Sequence, residues 1–426
     1  MHRSERLWRE EIAALWPETS AWPVAERAEV QLLIECAQTV IESGTAERIN
    51  FLLRHQLNWD YILRAAQRNC IIPLLNRNLP GLGGHHVPPS VQSELRAATH
   101  ANAQHNLLMT GKLAEIIKLL DAHGIAALAF KGPTLALQAY GDLSLRQFAD
   151  LDVLVRKRDL SRALEALAFV GYQPLSPLTW RRILTTPLHR HKDIGLMSAD
   201  GRVPLELHWQ LSGAHFALPL SLESLWQHLE TIFLANVPVR VLPFAELLIY
   251  LCLHGSRHGW GRLGWISDVA ELIRAQSAIN WTEVLWKAKL LGCERVLLLG
   301  LYLVDDFWGL ADAPPEWETI RHNGALPAIS AQVRSWLFGN HEGNLALGDW
   351  YCYHLGLKER WHDQWRLRLH YYYRYLHLAL TPNEEDKNTL SLPYLLSPLY
   401  YLVRPARLLR NYRQRSPIAY TEKRRR

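Results

Sequence analysis

The sequence predicts an α+β protein in which a small mixed sheet lies between two helical regions. Three observations support this: apolar residues recur at helical spacing before residue 110, short strand-like apolar runs follow up to residue 209, and helical spacing returns beyond residue 212. With 426 residues, 49% of them hydrophobic, the chain can hold two or three packed units. We expect a core of residues 111–212, helical regions of residues 1–110 and 213–380, and a helical, basic tail of residues 381–426.

The first region has the spacing of helices. Apolar residues between Ala46 and Leu79 recur with a helical period, which the breaker cluster Pro80–Gly84 ends. Pro88-Pro89-Ser90 then predicts the start of a segment that keeps helical spacing as far as Leu120, as one long helix or as two.

Strand-like runs follow in the middle of the chain. The pair Asp200-Gly201 lies between the last two of these runs and favours a hairpin. Asp159 is suited to cap the helix that follows it. The predicted strands are Ile125–Phe130, Asp150–Val155, Arg190–Met197 and Val203–Trp209, with helices over Thr134–Tyr140 and Leu160–Val170. Beyond Ser212 the predicted helices are Leu222–Leu229, Phe244–His258, Leu263–Arg274, Trp281–Leu303 and Arg360–Leu380. In the last of these, the aromatic segment Trp361–Tyr375 is predicted to be a core helix, with an aromatic ligand platform as the alternative.

The charge distribution argues against nucleic acid as a partner. Residues 404–426 carry nine Lys or Arg and one acid, whereas the other residues carry 38 basic and 40 acidic side chains. The net charge of +6 therefore comes from the tail and not from a basic body. Such a tail can lie on an anionic membrane surface, or it can dock as a final helix with a disordered basic end.

Other features favour a soluble, cytoplasmic protein. No apolar run approaches the roughly 18 residues that a membrane-spanning helix needs. Residues Met1 to Trp22 lack the apolar region and cleavage site of a secretory signal. The five cysteines are widely separated and form no C-x-x-C pair, which argues against disulfides and structural zinc. Association with the inner face of the membrane stays open through the tail.

Three carboxylates would converge on one exposed face of the sheet if the two strands that carry them are neighbours. Asp150 and Asp152 alternate with apolar residues along one strand, and Glu206 does so along another. If the two strands are neighbours, the acids repel each other unless a cation is present. Oxygen ligands of this kind suit Mg²⁺ or Mn²⁺.

A glycine loop precedes the acidic strand. Lys131-Gly132-Pro133-Thr134 lies between a predicted strand and a predicted helix, where backbone N–H groups can approach a phosphate, although Pro133 supplies none. A phosphate loop, an Asp-x-Asp strand and a third acid are together what two-metal phosphoryl or nucleotidyl transfer requires.

Several motifs carry a resemblance to a known family. They are Phe130-Lys131-Gly132-Pro133, Tyr140-Gly141-Asp142, Arg146, Ala149–Val155, Gly171-Tyr172 and Leu205–Trp209. Together they resemble the bacterial "uncharacterised nucleotidyltransferase" family, a branch of the DNA polymerase β-like nucleotidyltransferase superfamily. The resemblance implies metal-dependent transfer of a nucleoside monophosphate from an NTP. It implies that Asp150, Asp152 and Glu206 are catalytic metal ligands, that Glu206 or Asp152 helps to deprotonate the acceptor, and that Gly132 lies beside the nucleotide phosphates.

The loop departs from the superfamily pattern. The superfamily usually has Gly-Ser here and a shorter gap to the first aspartate, whereas Gly132 is followed by Pro133. Lys131, Thr134 and Arg146 are candidates to replace the serine hydroxyl in nucleotide binding. The departure also motivates an alternative, a degenerate protein that binds a nucleotide or a partner without turnover. A second alternative, motivated by the tail, is a peripheral membrane protein in envelope polysaccharide assembly.

Four residues are candidates for an acceptor pocket: His208, His254, His258 and Trp260. His208 shares a strand face with Glu206 and is expected to hydrogen-bond to the metal ligands rather than to bind the metal. His254 and His258 lie one helical turn apart, which suits packing, pocket lining or a metal, but no Glu between them completes a zinc protease motif. The acceptor, a hydroxyl, an amine or a phosphate, stays open, as do the nucleotide base and the oligomeric state.

Overall fold

The structure is a computed structural model that describes residues 28–176, 192–211, 225–310, 312–315, 317–322, 324–339, 347–381, 399–401 and 404–407. The chain divides into two compact units, Met1–Glu359 and Arg360–Arg426. The segment Met1–Trp22, the start of the predicted helix Leu222–Leu229 and most of the predicted basic tail lie outside the described residues.

A seven-stranded mixed sheet forms the centre of the first unit. Its strands are β1 (Ala127–Ala129), β2 (Leu151–Val155), β3 (Gln173–Pro174), β4 (Asp193–Met197), β5 (Pro204–His208), β6 (Glu230–Leu234) and β7 (Val237–Val241). They lie in the order β3-β4-β5-β2-β1-β7-β6. The pairs β2 with β5 and β1 with β7 are parallel, and the other neighbours are antiparallel. The sheet lies among helices, which confirms the predicted α+β class.

The sheet continues beyond the predicted core of residues 111–212. Strands β6 and β7 form a hairpin whose turn residues, Ala235 and Asn236, both have positive φ angles, as tight type I′ turns require. The sequence did not predict this hairpin, because the turn lacks glycine and Pro238 interrupts the strand pattern. Residues 226–229, within the predicted helix Leu222–Leu229, are not helical, so that prediction was wrong there.

Seven described helices lie in the chain before β3. They are α1 (Ala28–Cys36), α2 (Ser43–Leu53), α3 (Trp59–Arg68), α4 (Ile72–Asn78), α5 (Pro89–Ala122), α6 (Gly132–Tyr140) and α7 (Leu160–Phe169). The segment after Pro88 is thus a single helix. Asp159 precedes α7 as predicted, but in the described structure its carboxylate caps no backbone N–H and instead accepts a hydrogen bond from Arg162.

The remaining described helices follow β7. They are α8 (Phe244–Arg257), α9 (Leu263–Arg274), α10 (Trp281–Leu291), α11 (Glu294–Trp308), α12 (Trp317–Arg321), α13 (Leu326–Phe338), α14 (Leu347–Gly356) and, in the second unit, α15 (Trp361–Leu380). The predicted helix Trp281–Leu303 is two helices, because Gly292 ends α10 in the left-handed conformation. None of the described helices combines the length and the apolar character that crossing a membrane demands.

Both faces of the sheet are covered. The apolar residues of β2 and β5 that alternate with the acids pack against α5 and α7; Leu151, Val153, Leu205 and Leu207 are among them. On the opposite face, Leu128 of β1 and Leu154 of β2 join a second apolar cluster built from the flanking helices. The sequence analysis predicted an exposed acidic face. In the structure this face is instead the floor of a pocket under those helices.

Candidate functional site

Two carboxylates face each other across neighbouring strands. Strand β2 pairs in parallel with β5, and Asp152 lies directly opposite Glu206 in the register. Side chains alternate between the two faces of a sheet, so both carboxylates project from the face opposite the α5 and α7 core. The condition on which the sequence argument depends, that these two strands are neighbours, is met.

Asp152 is a buried carboxylate with one oxygen in use. Oδ1 lies 2.8 Å from the ammonium of Lys131 and 3.1 Å from Nε2 of His208. Oδ2 is buried and has no hydrogen-bond partner among the described residues. Burial alone would raise the pKa of Asp152, but the Lys131 ammonium and His208 outweigh it and lower the pKa. The carboxylate is therefore ionised at neutral pH, and its Oδ2 can still accept a hydrogen bond or bind a cation.

His208 connects the two facing acids. Its Nε2 lies 3.1 Å from Asp152 and 3.3 Å from Glu206 Oε2, and the ligand-type atoms of these three residues all lie within 4.8 Å of one another. Burial would lower the pKa of His208, but the hydrogen bonds to the two carboxylates outweigh it and raise the pKa. A hydrogen bond from His208 also lowers the pKa of Glu206. The ring makes a T-shaped contact with Phe130, with 5.1 Å between the ring centroids, and does not line the pocket.

Asp150 immediately precedes β2 and borders the same pocket without joining this close group. Burial and the neighbouring Asp152 raise its pKa, although Lys131 opposes them. Of the predicted acidic trio, the structure brings Asp152 and Glu206 together and places Asp150 in the wall beside them.

The glycine loop passes close to the acidic strand. Gly132 has a φ of +56°, and a Cβ there would lie 3.4 Å from the backbone oxygen of Asp150. A side chain is therefore strained at this position. Thr134 is fully buried and donates to the Lys131 carbonyl at 2.8 Å, so its hydroxyl stabilises the first turn of α6 and does not line the pocket.

Arg146 is fixed by a buried ion pair. Its Nε and Nη2 donate to the two oxygens of Asp268 at 2.8 and 2.9 Å, and the Tyr140 hydroxyl donates to the same carboxylate at 2.8 Å. The remaining Nη1 is buried without a partner among the described residues, and the side chain lines the pocket. The charge of Arg146 is thus largely matched by Asp268, with one donor group unused.

The carboxylates open into a pocket of about 540 Å³ with many charged residues in its wall. Two cations in the wall, Lys131 and Lys192, pair with the wall acids Asp152 and Asp193. Arg257 and Arg262 also line the pocket, and neither forms an ion pair with a described residue. No described acid neutralises their charges, which can attract an anionic ligand, and the Arg262 guanidinium lies 5.3 Å from the Trp265 ring centre.

Aromatic and imidazole rings form another part of the wall. His254 packs against Trp265 at 5.1 Å between ring centroids and against His258 at 4.9 Å. Burial and then the Arg257 charge lower the pKa of His258 to about 4, and burial lowers the pKa of His254 well below its usual value. Both predicted histidines therefore line the pocket as neutral rings at pH 7.

Trp260 does not line the pocket. It is fully buried in the apolar cluster of the flanking helices, where Gly255 and Gly300 leave room for its ring. Gly259 and Trp260 both have positive φ, and this tight turn directs the indole inward. The sequence places Trp260 near the histidines, but it does not show on which side of the turn the ring lies.

Several pocket residues were missed by the sequence prediction, among them Tyr250, Arg257 and Trp265. Tyr250, His254 and Arg257 recur three or four positions apart on α8 and so share one helical face. That spacing could have identified Tyr250 and Arg257 from the sequence, because they lie on the same face of α8 as the predicted His254.

The family model of the uncharacterised nucleotidyltransferases matches residues 55–309, which include the sheet, the glycine loop and the pocket. The fold and the match thus define the class as nucleotidyltransferase-like. Because the match covers more than half of the chain, the protein belongs to the uncharacterised nucleotidyltransferase family. No curated protein and no solved structure gave a significant match.

Proposed function

We propose that the protein is a metal-dependent nucleotidyltransferase that transfers a nucleoside monophosphate from an NTP to a hydroxyl, amine or phosphate acceptor. The observation that carries the proposal is the pair Asp152 and Glu206, opposite each other on β2 and β5 beside the Gly132 loop. In this reaction an acceptor atom bonds to the α-phosphorus while the bond to pyrophosphate breaks.

The donor set fits a hard divalent cation. Asp152 offers a buried oxygen that accepts from no described residue, and Glu206 offers a partly exposed carboxylate on the adjacent strand. Mg²⁺ typically takes one or two carboxylates and completes its shell with water and phosphate oxygens. Asp152 and Glu206 would hold the ion, with Asp150 bordering it. A bound ion of this kind supplies charge neutralisation at the phosphates and orients the reacting groups.

The chain's own residues account for the rest of the proposed site. Gly132 lets the loop backbone approach the phosphates, since no side chain intervenes. Arg257 and Arg262 supply positive charge without a competing acid among the described residues. His208 keeps Asp152 and Glu206 in position through its hydrogen bonds. The neutral His254 and His258 rings, with Trp265, form a wall suited to a nucleobase or an acceptor ring.

One observation favours a second candidate function. Lys131 neutralises Asp152 at 2.8 Å in a buried pair, so a lysine already occupies part of the space near the carboxylate. Together with Pro133 in place of the usual serine, this supports a family member that binds a nucleotide without turning it over.

The experiment follows label from an α-phosphate-labelled NTP into products, using a small-molecule cell extract as the acceptor source. The four NTPs are tested with Mg²⁺ and with Mn²⁺. We expect metal-dependent transfer that falls about 100-fold or more in Glu206→Gln, because a metal ligand is lost. Glu165→Gln, an exposed acid on α7, is the matched control and should transfer like the wild type.

Calorimetric titration with Mg-NTP separates the two candidates. Metal-dependent binding without any labelled product supports the inactive binding protein. Equal transfer by wild type and Glu206→Gln contradicts the proposed enzymatic activity. Nucleotide binding that does not depend on the metal contradicts it as well.

A further inference from the structure

Helix α15 of the second unit carries an exposed apolar stripe. Trp361, Trp365, Tyr372 and Tyr373 are 72%, 54%, 66% and 68% exposed. Leu369, Leu376 and Leu380 are exposed as well. The sequence predicts a core helix here, and that prediction was wrong for this face: the aromatic residues are on the surface.

These seven residues share one side of the helix. They follow each other mainly three or four positions apart, which at about 3.6 residues per turn makes a continuous stripe along the 20 residues of α15. Leu367, on the opposite side, is 4% exposed and belongs to the packed face of the helix. The helix thus has a buried leucine on one side and an apolar stripe that faces solvent on the other.

The stripe has a basic border. At about 100° per residue, Arg366 projects just beyond one edge of the stripe and Arg368 just beyond the other. The Arg366 side chain is 81% exposed, and the Arg368 guanidinium lies 5.5 Å from the Trp365 ring centre. Further along the chain, residues 404–426 add nine Lys or Arg against a single acid.

We propose that this stripe docks the protein on an anionic lipid surface. Trp and Tyr favour the boundary between headgroups and acyl chains, because their rings are apolar and their N–H and O–H groups remain hydrogen-bonded. Arginines at the border of such a face reach anionic headgroups while their stems cover the apolar layer. The helix lies in the plane of the surface. Arg366 and Arg368 at the border of the stripe supply the second, electrostatic contribution that stable attachment needs.

This docking is independent of the proposed transferase activity, because it uses only residues of the second unit. It places the protein at a membrane surface whether or not the pocket turns over an NTP.

Flotation of the full-length protein tests the proposal. The probes are vesicles of phosphatidylcholine alone and vesicles in which about a third is phosphatidylglycerol. We expect the wild type to float with the anionic vesicles and to be released by high salt, because screening weakens the headgroup attraction. In the variant Trp361→Ser/Trp365→Ser/Tyr372→Ser the bound fraction should fall about tenfold, since the apolar contribution is lost.

The matched control is Trp286→Ser/Phe233→Ser, which removes two exposed rings from the first unit, 61% and 73% exposed, and should float like the wild type. Circular dichroism checks that each variant is folded. Leu369→Glu, a single change in the middle of the stripe, should also lose flotation, so the result does not depend on the triple variant.

Three outcomes overturn the proposal. Flotation of the triple variant and of Leu369→Glu at the wild-type level would assign binding to the basic segment alone. Absence of wild-type flotation would exclude the lipid surface. Self-association of the wild type in ultracentrifugation, abolished in the triple variant and without flotation, would assign the stripe to a second copy of the chain.

Discussion

At the scale of single residues, Asp152 serves two roles that compete. It is the buried partner of Lys131, 2.8 Å away, and it is the proposed metal ligand through Oδ2, which has no partner in the described part of the chain. Buried ion pairs contribute little net stability, but the loss of one partner is costly because the other charge stays buried. The state of Asp152 therefore affects stability as well as the proposed activity.

Asp152→Asn should lower the free energy of unfolding by about 3 kcal/mol, because it leaves the Lys131 ammonium buried without its counter-ion. Lys131→Met should also destabilise, since it removes the charge that stabilises the ionised Asp152. The double variant should recover much of the loss. Urea unfolding of the four proteins measures the coupling. Additive losses in the double variant would show that the pair is not coupled. This cost is also why Glu206→Gln is the better test of activity.

At the scale of elements, the turn between α8 and α9 positions one wall of the pocket. Trp260 anchors this turn in the core, while Arg257, His258 and Arg262 around it line the pocket. The ring fits because Gly255 and Gly300 have no side chains, and a Cβ at Gly255 would lie 2.4 Å from the indole. The position of three pocket residues therefore depends on a buried contact outside the pocket.

Gly255→Ala should lower the free energy of unfolding by about 2 kcal/mol, because the added methyl overlaps the Trp260 ring and the turn must shift. Gly111→Ala is the matched control within α5, where no described atom lies within 4 Å of the added carbon apart from its chain neighbours and the helix's own backbone. It should stabilise by about 0.5–1 kcal/mol through helix propensity alone. Urea unfolding midpoints give both values. Stabilisation by both substitutions would mean that the indole is not seated against Gly255.

The elements differ in how far the sequence predicts them. Strands β2 and β5 were predicted because their apolar residues alternate, and the same alternation placed Asp152 and Glu206 on one face. The partner of Arg146 was not predictable, since Asp268 lies 122 positions away and only the packing of α9 brings it there. The exposure of α15 was not predictable either. An apolar stripe has the same spacing whether it packs against protein or faces solvent.

At the scale of the whole molecule, buried neutral histidines link stability to pH. His354 of α14 is 7% exposed, and its ring stacks on Trp350 at 5.1 Å. Burial, followed by the charges of Lys358, His258 and Arg257, lowers its pKa from 6.5 to about 3. Below pH 6.5 His354 is protonated in the unfolded chain but stays neutral in the folded protein. The free energy of unfolding therefore falls as the pH falls from 6.5 towards 3.

His354→Phe should reduce this loss of stability at acid pH, and the substitution keeps an aromatic ring against Trp350. The expected difference in slope is up to about 1.4 kcal/mol per pH unit below pH 6.5, with no difference in slope above it. Urea unfolding between pH 7 and pH 4, compared for the two proteins, checks this in both windows. Parallel pH profiles would show that His354 takes up its proton equally in the folded and unfolded states.

The two units suggest a division of tasks. The first contains the family match and the pocket, and the second carries the exposed stripe of α15. The proposed chemistry and the proposed membrane docking can therefore be lost separately, by Glu206→Gln in one unit and by Leu369→Glu in the other.

The most direct test of the central claim is a crystal soaked with Mn²⁺ and a non-hydrolysable NTP, examined for anomalous scattering. We predict a peak about 2.0–2.2 Å from the free oxygen of Asp152 and from a carboxylate oxygen of Glu206, with phosphate oxygens completing the shell. A nucleotide bound with no metal at these carboxylates, or a metal bound elsewhere in the pocket, would contradict the claim.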